Sequence, residues 1–173
     1  EVFELDSPGT MELDVDWCTP NWNSPILKTT INTKKLAEGG VNIIYDIDEE
    51  GPNKEKLIIR LIQRLYSRRI TQELKGSSIQ KYFSDINPVY IPKVFQYGIF
   101  NKPYIGAYTI MEKLEGKDLY YRLLERVYKD NKKIKKLFSN IVTAVNILHT
   151  HVPPYGHLDI KPENIMMVYP IDA

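Results

Sequence analysis

Ten residues near the C-terminal end, Gly156-His157-Leu158-Asp159-Ile160-Lys161-Pro162-Glu163-Asn164-Ile165, constrain the chain more than any other stretch. Asp159, Lys161 and Asn164 stand at fixed offsets, and the apolar run Ile165-Met166-Met167-Val168 that follows reads as a short strand. A polar loop that leads straight into a strand can hold several functional groups on one rigid piece of backbone. An Asp turn followed by a proline gives a similar string, so the bare spacing leaves a plain surface loop open as well. The residue types nonetheless suit one chemistry. Phosphoryl transfer needs a carboxylate to orient the attacking hydroxyl, a cation near the phosphate and an oxygen ligand for Mg²⁺.

The 173 residues suffice for one ordinary core, or one and a half small ones. With 43% hydrophobic and 26% charged residues the chain reads as globular. A net charge of +1 provides no global field for nucleic acid or an anionic membrane, so neither is an expected partner. The charge is uneven: Glu1, Glu4, Asp6, Glu12, Asp14 and Asp16 lie in a stretch without Lys or Arg, whereas Lys129–Lys136 holds five lysines. That lysine run reads as a solvated connection. The single cysteine, Cys18, excludes an internal disulfide and fits a reducing, cytoplasmic compartment. No apolar run approaches the ~18 residues of a membrane span.

In chain order, residues 1–25 read as an acidic extension without regular structure, docked in part through Trp17 and Trp22. Residues 26–48 read as two strands around the Gly39-Gly40 turn, and Leu57-Ile58-Ile59-Arg60 as a strand ending in a cation. Residues 61–84 suit a helix, with Gly76-Ser77-Ser78 as its weak point. Two further strands, 89–100 and 103–111, flank the turn Asn101-Lys102-Pro103. A short helix is expected over 118–128, with Asp118 able to cap it. Ile134, Leu137, Phe138, Ile141, Val142, Val145 and Leu148 recur at helical steps and predict a helix with one apolar face, stopped by Pro153-Pro154. The spacing of His149, His151 and His157 matches no metal site.

The string at 156–165 resembles the catalytic loop of the protein kinases, H-R-D-L-K-P-E-N, with Leu158 in place of the Arg and Ile160 in place of the Leu. Other motifs follow the same resemblance in the same order. Leu36–Tyr45 is similar to the Gly-rich loop that closes over ATP phosphates, with Ala37, Gly39, Gly40 and Ile44 as the candidate contacts. Ala37 and Asn42 stand where the first and third glycines would be. Arg60 takes the place of the phosphate-binding Lys on the third strand, and Glu73 is a candidate for the helix glutamate that pairs with it. Met111-Glu112-Lys113-Leu114-Glu115-Gly116-Lys117-Asp118 is similar to the hinge. The resemblance implies that Met111 is the gatekeeper, that the backbones of Glu112 and Leu114 contact adenine, and that Asp118 takes the ribose hydroxyls. It further implies that Asp159, Lys161 and Asn164 are catalytic, with Asn164 also a metal ligand. His157 braces the loop.

The fold so implied is α+β and kinase-like, with two lobes. Residues 26–112 form an antiparallel N-lobe with one helix, 113–118 the hinge, and 119–173 the start of a mainly helical C-lobe. The function implied is an ATP- and Mg²⁺-dependent serine/threonine protein kinase acting on protein hydroxyls, because Lys161-Pro162-Glu163-Asn164 resembles that class. Leu158 removes the usual receiver of a phosphorylated activation loop. Asp172 is followed by no Phe-Gly and is not taken as the second metal ligand. The given chain is therefore expected to stop short of a D-F-G motif, to be inactive alone and to expose part of the stripe of helix 134–148. Two other readings stay open. One is a non-catalytic binding scaffold, suggested by Arg60, Leu158 and the missing glycines. The other is a small-molecule kinase of the choline or aminoglycoside kind, suggested by Arg60.

Overall fold

The computed structural model describes residues 2–5, 30–39, 42–62, 67–102, 106–126 and 129–168. The chain divides into two units, 1–113 and 114–173. The first contains strands β1 (Val2–Leu5), β2 (Thr30–Glu38), β3 (Asn42–Glu50) and β4 (Lys56–Ile62), helix α1 (Ser67–Ile86), and strands β5 (Val94–Lys102) and β6 (Gly106–Glu112). The second contains β7 (Lys117–Asp118), helices α2 (Leu119–Leu124) and α3 (Asn131–His149), a 3-10 turn (Pro162–Asn164) and β8 (Met166–Met167). No helix among the described residues is long and apolar enough to cross a membrane.

In the first unit, strands β2-β3-β4-β6-β5 form an antiparallel sheet, and β1 pairs with both β2 and β5 to close it. Period-2 alternation explains the core. Leu57, Ile59 and Leu61 of β4 are fully buried together with Ile43, Tyr45 and Ile47 of β3 and Tyr108 and Ile110 of β6. The residues between them, Ile44, Asp46, Ile58 and Arg60, are half-buried on the other face. Pairing sets Ile44 opposite Arg60, Asp46 opposite Ile58 and Arg60 opposite Thr109.

Two expectations change here. Residues 1–25 are not irregular throughout, because Val2–Leu5 is a strand. Pairing on both sides satisfies its backbone, and that gain is invisible to a composition argument. Trp17, Trp22 and Cys18 lie outside the described residues. Nor does Gly76-Ser77-Ser78 break α1, which runs unbroken for 20 residues. Ser77 and Ser78 are buried, and Ser77 Oγ shares a 2.5 Å hydrogen bond with Thr109 Oγ1. A small hydroxyl residue lets the helix lie close to the sheet while leaving no polar group unmatched. Ser84 does the same one end further on, accepting the Val94 N–H at 3.3 Å and donating to Lys81 O at 2.9 Å. Ile70 and Leu74 of α1 complete a second cluster with Val94, Tyr97 and Ala107, and Met111 packs against it.

The second unit is thinly packed. Leu119 is its only buried residue among those described. Asp130 caps α3 by accepting the Lys132 N–H at 2.9 Å, so the helix begins inside what reads as a solvated connection. No residue of α3 is buried, and Ile134, Phe138 and Val142 are exposed. The expected exposure of part of its stripe is observed, and His149 is exposed as well.

Candidate functional site

The residues that the motifs single out fall in both units. In the first, Gly39 N–H donates to Asn42 O at 2.8 Å and closes the β2–β3 turn. Ala37 is paired opposite Ile44, next to a register shift, and both Ala37 and Gly39 are exposed. Gly40 lies outside the described residues. Arg60 belongs to the interior of β4 rather than its end, since the strand continues to Ile62. Its Nη2 lies 3.1 Å from Glu73 Oε1, with each side chain 25% exposed. The strand cation and the candidate helix glutamate therefore do form an ion pair. Arg60 Nε is buried and has no hydrogen-bond partner among the described residues.

At the end of β6, Glu112 N–H donates to Lys93 O at 3.0 Å, and its carboxylate accepts the Lys93 N–H at 2.7 Å. Lys113 N–H donates to Lys56 O at 2.8 Å, and Lys113 Nζ reaches Asp46 Oδ2 at 2.6 Å. Half-buried Leu114, the next residue, makes no backbone hydrogen bond among the described residues. Neither Asp46 nor Lys113 was visible as a site residue in the sequence, because no local pattern links positions so far apart.

In the second unit, Gly116 has φ +146°, and a Cβ there would lie 2.4 Å from Met167 O. Only glycine admits this approach. It brings β7 against β8, with Lys117 opposite Met167 and Asp118 opposite Met166. Asp118 Oδ1 accepts the Tyr121 N–H at 3.0 Å and caps α2, as the sequence allowed. Gly116, Lys117, Asp118, Tyr121 and Met166 line one shallow, open depression.

The 156–165 string is held by its own polar groups. Asn164 Nδ2 donates to Asp159 O at 2.9 Å and to Asp159 Oδ2 at 2.8 Å. Lys161 Nζ stands 3.3 Å from the same Oδ2. The other oxygens, Asp159 Oδ1 and Asn164 Oδ1, have no partner among the described residues. Leu158 is left-handed at φ +63° and 97% exposed, and beyond it the Asp159 N–H donates to His157 Nδ1 at 3.3 Å. The bracing role expected of His157 has this contact behind it. Leu119 N–H donates to Ile165 O at 2.8 Å and anchors the far end of the string. The Asn164 amide, and then the Lys161 ammonium, hold the Asp159 carboxyl below the usual aspartate range. Asp159 is thus an ionised acceptor with one oxygen occupied and one open. The donor set fits a hard cation, because the Asn164 amide presents its carbonyl oxygen once its NH₂ is committed to Asp159. Asp172 lies outside the described residues.

No protein-family model matches the chain. Curated relatives do. A probable serine/threonine-protein kinase of Dictyostelium discoideum is 24% identical over 153 residues, covering 82% of this chain. Human serine/threonine-protein kinase ULK3 is 24% identical over 151 residues, 86% of this chain. Human calcium/calmodulin-dependent protein kinase type IV is 22% identical over 165 residues, 95% of this chain. The chain spans 40%, 30% and 33% of the length of these relatives, respectively. The ordered motifs, the antiparallel sheet with its Arg60–Glu73 pair, and these relatives, each named as a protein kinase, lead to one statement: over most of its length the chain is similar to protein kinases.

Proposed function

We propose that the chain carries the nucleotide- and metal-binding part of an ATP- and Mg²⁺-dependent serine/threonine protein kinase. The observation behind this reading is the Asp159–Lys161–Asn164 arrangement, in which one amide ties the carboxylate down while two oxygens remain open. A bound Mg·ATP supplies the transferable phosphoryl group and neutralises charge on it. Asp159 Oδ1 orients the hydroxyl of a protein substrate and accepts its proton, and the low pKa of Asp159 keeps it ionised for that task. Lys161 places a cation beside Asp159, where the phosphoryl group would pass. Asn164 Oδ1 would hold the metal. Arg60, fixed by Glu73, would hold phosphate oxygens, while Ala37, Gly39, Gly40 and Ile44 would cover them. Glu112 and Leu114 would offer backbone groups to the adenine, and the unused oxygen of Asp118 would accept from the ribose.

Binding tests this directly. Mg·ATP at 100 times its dissociation constant should stabilise the chain by roughly 2.7 kcal/mol by mass action. Asp159→Asn should keep that stabilisation, Arg60→Ala should reduce it, and a chelator should reduce it in the wild type but much less in Asn164→Ala. If ATP produces no shift with or without Mg²⁺, the enzyme reading fails and a binding scaffold replaces it.

A further inference from the structure

The Asp46–Lys113 pair joins residues 67 apart in sequence at 2.6 Å, with the two side chains 34% and 30% exposed. Asp46 lies two residues after Ile44, on the half-buried sheet face that also carries Arg60. An acidic side chain there opposes the binding of an anionic nucleotide unless a cation answers it, and Lys113 does so. The pair also constrains the backbone. Lys113 is held to β3 through its side chain and to Lys56 O through its N–H, while Glu112 is held to Lys93 by two bonds. Two successive residues are thus each fixed at backbone and side chain, and the next N–H, that of Leu114, is unclaimed among the described residues.

Given the nucleotide reading of Glu112 and Leu114, we propose that Asp46, acting through Lys113, is a positioning residue for that nucleotide-binding edge. Asp46 touches no part of the nucleotide. It fixes the direction in which the backbone groups of the edge point, so an adenine meets donors and acceptors already in place.

The test uses the full 173-residue chain in three forms besides wild type: Asp46→Asn, Lys113→Met, and the exchanged pair Asp46→Lys with Lys113→Asp. Amide hydrogen exchange at Glu112 and Lys113 reads the backbone, and Mg·ATP titration reads binding. Each single variant should exchange faster at these amides and bind Mg·ATP about three- to fivefold more weakly, the scale of a partly exposed ion pair. The exchanged pair should restore both readouts. Unchanged exchange in the single variants overturns the positioning role whatever the nucleotide does. Tighter binding by Asp46→Asn also overturns it, since removing an unfavourable charge would then outweigh any loss of order. Faster exchange with unchanged affinity separates the clamp from binding and overturns the proposal too. If wild type fails to bind Mg·ATP, the titration identifies that case: the nucleotide reading itself falls and takes the proposal with it, while the exchange data still report on the clamp.

Discussion

Arg60 and Asp159 are both charged side chains, yet the two units hold them by different means. Arg60 rides on a strand whose alternate residues Leu57, Ile59 and Leu61 are fully buried, and its partner Glu73 comes from a helix packed on the same sheet. Asp159 is 64% exposed and is held by an amide, an ammonium and an imidazole from within five residues of it. In the first unit geometry is maintained by packing and so shares the stability of the whole barrel. In the second it rests on a short hydrogen-bonded net that a single side-chain change can undo without unfolding anything else.

The sharpest way to break this contrast is to cut the barrel core. Ile59→Ala removes a fully buried side chain and should cost about 2–5 kcal/mol, read as a fall in denaturant midpoint. A loss below about 1 kcal/mol would show that packing does not hold Arg60. Next comes Gly116→Ala, whose new methyl would meet Met167 O in a backbone conformation that only glycine adopts freely. A cost of about 1–3 kcal/mol is expected, confined to the β7–β8 pairing. Amide exchange should quicken at Leu119, whose N–H bonds Ile165 O, and remain unchanged in β4.

A smaller effect concerns acid titration. The folded pKa of Asp159 is depressed, so the stabilisation it brings is present above the unfolded value of about 3.9 and is lost as pH falls through the folded value. Carboxyl NMR should show Asp159 titrating below that value, and Asn164→Ala should raise the midpoint toward it. An unmoved midpoint would remove the amide as the main cause. The smallest expected change is Phe138→Ser on the exposed face of α3, within about 0.5 kcal/mol of wild type in the denaturant midpoint. A large loss there would mean that the face is covered in solution.

Much of the local structure was legible. Apolar steps from Ile134 to Leu148 gave a helix that occupies Asn131–His149, and only its capped first turn was missed. Asp118 was legible as a cap because capping involves a side chain and an N–H three residues on. The 156–165 string was legible for the same reason, as its defining bonds span at most five residues. The α1 boundaries and its continuity through Gly76 were less so. Buried serines look like breakers until the opposing Thr109 is known. Burial of α3 could not be read either, since a stripe states which side prefers cover without stating what covers it.

The sequence by itself determined the kinase-like motifs, their order, the helix periods and the caps, because each depends on residues within a turn or a strand of one another. Only the tertiary structure decided that Arg60 meets Glu73, that Lys113 meets Asp46, and that Val2–Leu5 closes the sheet against both β2 and β5. Those contacts depend on strand register and on closing long loops, where one residue of slip turns every side chain to the opposite face.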